Sequence, residues 1–270
     1  MFGRERIQLK TPDQVTLMRR AGLVVAHALA AVRSSLAPGM TTADLDDVAA
    51  EVIRAAGATP SFKGYHGFPA TLCVSVNAEV VHGIRGPQVV QPADLVSVDC
   101  GAIVEGWHGD AAFSVVVPPA CAGDVALVAA TEDAMWAGIA ALASATRLGE
   151  VGAAVEDSVD GRYGIVEGYV GHGIGTAMHE PPDVLNYRVR ERGPKVRPGL
   201  VVAVEPMLTD GSADTAVLAD GWTVVTTSSA RAAHCEHTVA VLPSGLWVLT
   251  AQDGGAAELG RRGVPVTPLA

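Results

Sequence analysis

Four acids and one histidine sit among neighbours that do not suit them. Asp99 interrupts VSVDCGAIV, Asp110 lies in WHGDAAF, Glu205 ends VVAVEPM, Glu236 stands in HCEHTVAV, and His172 opens GHGIGTAMHEPP. A buried carboxylate without a partner is costly, so acids in apolar strands ask for a reason. Taken singly, Glu205 reads as a salt-bridge partner at a strand end, and Glu236 could pair with an arginine. Arginine is sparse near these strands.

The spacing of the first two acids is informative. If Glu105-Gly106 forms a two-residue turn, Asp99 faces residue 112 and Asp110 faces residue 101. Alternation then puts both on one face as a diagonal pair, about 7–8 Å apart at the backbone, within reach of one ion. Pro206 holds Glu205 extended and ends ladder donation there. Along the last strand, alternation places His234, Glu236 and Thr238 on one face. Four converging carboxylates cannot all stay ionised without large pKa shifts. Two divalent cations would cancel that charge, and His172 would complete a mixed oxygen and nitrogen shell. Such a set suits Mn, Fe or Co, with Zn also open. HCEH at 234–237 is not the helical HExxH zinc motif.

His172 and His179 lie among Gly171, Gly173 and Gly175. Glycine is entropically expensive. The stretch therefore reads either as backbone running close beneath something bound or as a loose turn.

The elements that must carry these residues can be read from pattern. Thr11-Pro12-Asp13-Gln14 is a capped helix start, and the helix should stop before Pro38-Gly39. Thr41-Thr42 caps a second helix through Leu45, Val48 and Val52, ended by Gly57. Two hairpins follow: TLCVSV and EVVHGI around Asn77-Ala78, then LVSVDCGAIV and WHGDAAFSVVV around Glu105-Gly106. A long helix over about 122–145, a break at RLGEVG and a shorter helix through Val155 and Val159 begin the second half. Strands LVVAVEPML, WTVVTT and HCEHTVAV complete it. The order repeats, so we expect a duplicated α+β unit whose halves share a sheet, one spanning about 10–117 and the other about 120–250, with a seam near Pro118-Pro119. Residues 251–270, small, polar and rich in Gly and Pro, are expected to form a loosely ordered tail.

Bulk properties narrow the classes. No run of about 18 uncharged apolar residues occurs, so no membrane span is expected. MFGRERIQLK lacks the apolar centre of a secretory signal. Cys73, Cys100, Cys121 and Cys235 show no CxxC pairing and read as reduced thiols of a cytoplasmic protein. The net charge of −10 argues against a general nucleic-acid surface, DNA included. RVRERGPKVR at 188–197 runs against that balance: it is either a solvated loop or a docking patch for a polyanion such as ribosomal RNA.

Five stretches together resemble the type I methionine aminopeptidases of the compact bacterial kind, within the pita-bread superfamily: FKGYHGFPATLCVSVNAEVVHGI, VSVDCGAIVEGWHGDAAF, GHGIGTAMHEPP, VVAVEPML and CEHTVAV. The resemblance spans nearly the whole chain. It implies one catalytic domain over 1–270 with the α+β pita-bread fold: pseudo-twofold helix-helix-strand units around a central, mostly antiparallel sheet. By position, Asp99 resembles the ligand of a second metal, His172 and Glu205 ligands of the first, and Asp110 and Glu236 bridging carboxylates. Glu205 would also pass a proton. His82 and His179 resemble the substrate-contacting histidines, and Tyr65, Phe68, Cys73, Met178 and Trp222 are expected to wall a methionine pocket. The implied reaction is removal of the initiator methionine from nascent proteins with a small second residue. In it a hydroxide bridging two cations attacks the first peptide bond. A monomer is expected.

The chain departs from the family at Met178, where an aromatic residue is frequent, at Phe62, where a smaller one is common, and at His234-Cys235, where Gln-Tyr is familiar. With Phe2 as its own second residue, the chain should keep Met1. The nearest rival is a prolidase or aminopeptidase P, which usually carries an added N-terminal domain. Only about 60 residues precede the first motif here. A non-catalytic pita-bread binder would lack ligands, whereas all five ligand positions and His179 are filled.

Overall fold

The two N-terminal helices start where their caps dictate. In the computed structural model, which describes residues 7–269, the Thr11 hydroxyl accepts from Gln14 N–H and the Gln14 side chain accepts from Thr11 N–H, opening α1 (Pro12–Ser35). Thr41 and Asp44 form the same reciprocal box for α2 (Thr42–Ala55). Met1 and Phe2 lie outside the described residues. The apolar side of α1 (Val25, Ala28, Leu29, Val32) meets α2 (Leu45, Ala49, Ile53) over a sheet face carrying Val96, Val98, Cys100 and Phe113. By length and apolarity α1 could cross a membrane, with a mean hydropathy of 1.4 over its best window. Its side chains Val15, Met18, Val25 and Val32 are instead buried in the fold.

The long hairpin has the expected register. Leu95–Val104 pairs with Trp107–Val116, putting Asp99 opposite Ala112 and Gly101 opposite Asp110. Glu105 (φ 51°) and Gly106 (φ 82°) make the turn, both left-handed as a two-residue hairpin turn requires.

That hairpin belongs to a nine-stranded antiparallel sheet shared by both halves. On one side Leu95–Val104 takes Leu72–Val76 and the short strand Thr59–Pro60. On the other, Trp107–Val116 meets Glu236–Leu242, followed by Val201–Val204, Gly171–Gly173 and Glu180–Val184. Gly245–Val248 also pairs with Glu236–Leu242. Two three-stranded sheets flank it, one centred on Met207–Thr209 and one on Val224–Thr226. The second half supplies α3 (Ala122–Ala141) and α4 (Gly149–Val159). α3 ends before 145 because Leu142, Ala143 and Ser144 tighten into bonds to carbonyls three residues back. Helices packed on a curled, mostly antiparallel sheet, given twice, make this the α+β pita-bread fold.

Two expectations need correction. The segments around Asn77-Ala78 do not form a hairpin: Leu72–Val76 pairs with Leu95–Val104, while Glu79–Val81 leaves to pair with Val224–Thr226. Asn77 (φ 60°) is held by Leu95, whose N–H donates to its Oδ1, and by Asp94, which accepts from its Nδ2. This anchor turns the chain out of the sheet. The tail after Thr250 is also not loose. Ala256–Arg261 forms α5, Leu259 is fully buried in the apolar cluster that also holds Leu148, Val202 and Val239, and Thr267 N–H bonds Leu246 O at 3.0 Å. Arg19 ties its start down, with its guanidinium donating to the carbonyls of Val248, Leu249, Ala251 and Gln252. Composition signalled neither contact, because one buried leucine and a distant arginine do the fixing.

Candidate metal centre

The seam between the halves is where Trp107–Val116 meets Glu236–Leu242, and backbone pairing there covers only Glu236–Ala112 and His237–Ala111. Thr238 extends it: its Oγ1 accepts from Asp110 N–H at 3.1 Å and donates to Asp110 O at 2.8 Å. The seam thus sets Asp110 beside Glu236. Asp99 arrives from the neighbouring strand by register, Glu205 at the end of Val201–Val204, and His172 within Gly171–Gly173.

All twelve residues singled out in the sequence line one cavity: Asp99, Asp110, His172, Glu205 and Glu236, His82 and His179, and Tyr65, Phe68, Cys73, Met178 and Trp222. Phe62 joins them. Phe62, Phe68, Cys73 and Met178 form a buried apolar cluster, with Phe68 edge-on to Trp222 at 5.1 Å. An apolar, polarisable wall of this kind suits a thioether.

The electrostatics of the acids are those of a site built for positive charge. All four are at most 8% exposed. Burial pushes the Asp110, Glu205 and Glu236 carboxyls well up, helped in each case by the neighbouring acids. Burial also raises Asp99, to about 7, opposed by its hydrogen bond with Asp110. Among the described residues, the only basic groups near these four acids are imidazoles: His172 Nε2 lies 3.4 Å from Glu205 Oε1, and His234 Nε2 lies 3.9 Å from Glu205 Oε2 and 4.0 Å from Glu236 Oε2. Asp99 Oδ1, Asp110 Oδ1, Glu236 Oε1 and His234 Nε2 are buried with no hydrogen-bond partner among the described residues. Ligand atoms of Asp110, His172 and Glu236, and of Glu205, His234 and Glu236, fall within 4.8 Å of one another. Unpartnered carboxylate oxygens crowded this way fit divalent cations, and among the described residues no arginine competes for them.

The histidines are held neutral. Burial lowers His172 to about 3, with His179 adding to the effect. Its Nδ1 bonds the Gly173 carbonyl at 2.9 Å, and a carbonyl only accepts, so Nδ1 carries the proton and Nε2 keeps a free lone pair towards Glu205. His179 stands 4.3 Å from His172, ring to ring, and its Nδ1 meets the Tyr65 hydroxyl at 2.8 Å. Burial lowers His179 as well, and lowers His82 to about 4. His82 adopts φ 61° and faces Tyr169 and Trp222.

The glycines answer a different need from either expectation. A Cβ on Gly171 would lie 2.3 Å from Ala203 O, one on Gly173 2.4 Å from Pro181 O, and one on Gly175 2.5 Å from Glu180 Oε1. The backbone runs close to its own neighbouring strands, so that His172 can reach the seam. Glu180 is itself fixed by a buried ion pair with Lys10 at 2.6 Å.

Sequence reasoning assigned no role to His234, although alternation already put it on the Glu236 face. The basic segment is also partly engaged. Arg188 grips both oxygens of Asp157 at 2.7 Å, and Arg147 donates to Gly193 O.

The pattern of metallopeptidase family M24 matches residues 16–243. The chain belongs to metallopeptidase family M24. It is 48% identical over 256 residues to methionine aminopeptidase 1 of Mycobacterium tuberculosis (strain CDC 1551 / Oshkosh), covering 92% of this chain and 96% of the relative. Methionine aminopeptidase 1 of Bacillus subtilis (strain 168) is 40% identical over 242 residues, covering 89% of this chain and 98% of the relative. The crystal structure of methionine aminopeptidase from Thermotoga maritima superposes with a TM-score of 0.89 at 37% identity, covering 92% of this chain and 100% of the other. The chain is thus an M24 enzyme on the methionine aminopeptidase branch, a metal-dependent aminopeptidase acting on peptide N-termini, as the five motifs implied.

Proposed function

We propose that the chain removes the initiator methionine from nascent proteins whose second residue is small, using two divalent cations held by Asp99, Asp110, His172, Glu205 and Glu236. The observation that carries this reading is the meeting of four buried carboxylates from both halves beside an apolar pocket, with no arginine against them among the described residues. Asp110 and Glu236, adjacent across the seam, would be shared between the two ions. Asp99 would hold one ion and His172 and Glu205 the other, each Mn, Fe, Co or Zn. When bound, the cations supply an attacking hydroxide at neutral pH and polarise the first carbonyl.

The chain's own groups do the rest. Glu205 takes and hands on the proton of the attacking water. With the Tyr65 hydroxyl donating to Nδ1, His179 keeps its Nε2 proton and offers it to the oxyanion that develops on the methionine carbonyl. Its neutral state, enforced by burial, makes it a donor that costs no deprotonation. His82 contacts the backbone of the following residue. Tyr65, Phe68, Cys73, Met178 and Trp222 close on the methionine side chain and exclude water. Phe62 and Met178 narrow that pocket.

We further place the enzyme in the cytoplasm as a monomer. It would make a transient ribosome contact through 188–197, carried by Arg190, Arg192, Lys195 and Arg197 since Arg188 is bound to Asp157. Reversal of those charges should abolish ribosome co-sedimentation; unchanged association would remove this contact from the account. For the activity itself, purified protein loaded in turn with each metal is assayed on Met-Ala-Ser and on Xaa-Pro peptides. Methionine release from the first and none from the second is expected. Hydrolysis confined to Xaa-Pro bonds would identify a prolidase instead.

A further inference from the structure

His234 is a buried imidazole with no assigned task at the edge of the acid cluster. It is 1% exposed. Its backbone is locked from both sides by one hydroxyl: Ser114 Oγ accepts from His234 N–H at 2.9 Å and donates to His234 O at 2.8 Å. Ser114 is in turn 2.7 Å from Ser97 Oγ on the next strand. The residue therefore has no freedom to swing its ring elsewhere by shifting its main chain.

The ring's Nε2 has no hydrogen-bond partner among the described residues. It stands 3.9 Å from Glu205 Oε2 and 4.0 Å from Glu236 Oε2, too far for hydrogen bonds to either. Both separations suit donors that share one ion. With metal–ligand bonds of about 2.0–2.2 Å, two donors on one ion lie between about 2.8 Å apart when adjacent and about 4.4 Å when opposed. His172 Nε2 approaches the other oxygen of the same carboxylate, Glu205 Oε1, at 3.4 Å. Glu205 is flanked by an imidazole at each oxygen.

We propose that His234 is a sixth protein ligand of the metal centre, giving a second imidazole nitrogen to the ion that Glu205 and Glu236 hold. The inference rests on the carboxylate cluster being a metal site, and adds a donor to it. A second imidazole makes the shell richer in nitrogen, which favours Fe, Co or Zn over Mn.

The test counts histidine ligands rather than turnover. Protein labelled with ¹⁵N-histidine is loaded with Co(II), and its paramagnetically shifted imidazole N–H signals are counted by NMR. Two are expected in the unaltered protein, one in His234→Gln, and one, a different one, in His172→Gln. The count in the unaltered protein decides the matter even where a variant fails to fold. Bound Co(II) with a single histidine signal overturns the assignment and leaves the cluster reading intact. Failure to bind Co(II) at all overturns both.

Discussion

Asp99 and Glu236 face the same residue, Ala112, from its two sides: one across the long hairpin, the other across the seam between the halves. Their convergence is a matter of backbone register, and Thr238 locks that register through Asp110. Replacing Thr238 by Val removes both bonds while keeping its shape. Affinity for divalent metal should fall while the fold persists, with a stability loss of about 1–3 kcal/mol for the unsatisfied Asp110 amide. Calorimetric metal titration beside thermal melting checks this. Unchanged affinity would show that strand pairing alone positions the acids.

The pH dependence of the metal-free protein has a definite sign. The acids have folded pKa values raised above their unfolded ones, so the native state binds more protons and stability falls as pH rises through the folded values, about 7 for Asp99. Buried His172 and His234, both lowered to about 3, act oppositely, but their contribution is complete above the ordinary histidine value near 6.5. Above about pH 6.5 the histidines no longer contribute, and below the ordinary cysteine value near 8.5 the buried thiols, which burial also raises, do not yet act. Melting temperature in chelator should therefore drop between about pH 6.5 and 8, and saturating divalent metal should abolish the drop. A flat profile in chelator would mean that the acids do not share buried charge.

His179 and Tyr65 separate binding from rate. His179→Ala should retain metal and lose roughly 10²–10³-fold in kcat, the cost of one oxyanion donor. Tyr65→Phe removes only the group that orients the ring, at 2.8 Å, and should lose roughly ten-fold. Steady-state kinetics on Met-Ala-Ser with metal content measured in parallel distinguishes these. Metal loss in His179→Ala would make that residue a ligand.

The glycine contacts predict a steric effect away from the chemistry. Gly171→Ala places a methyl 2.3 Å from Ala203 O and should destabilise by about 1–3 kcal/mol while displacing His172. Thermal melting reads the first effect and metal affinity the second. A variant as stable as the parent would show that the strands can separate there.

Some of this was legible in the sequence because local rules fix it. The turn at Glu105-Gly106 sets a register, and register places Asp99 relative to Asp110. The caps at Thr11 and Thr41 set helix starts. Pro206 marks where the apolar run must end and Glu205 must project. What was not legible depends on contacts distant in the chain. Asn77 steers Glu79–Val81 towards Val224–Thr226 because Asp94 and Leu95 hold it, and no local pattern records that. Arg19 orders a segment more than two hundred residues away. The glycines of 171–175 read as a loose or ligand-facing loop, since the strand they press against is visible only in three dimensions. His234 was placed on the correct face by alternation, but only its distances to Glu205 and Glu236 single it out.

The central claim is that acids from both halves pool their charge for a pair of cations. The most direct test is metal per chain, measured by elemental analysis alongside methionine release, in the unaltered protein and in Asp110→Ala and Glu236→Ala. Two ions per chain are expected in the active protein, with joint loss of metal and activity in both variants. Full metal content in Glu236→Ala, or turnover by fully chelated protein, would contradict it.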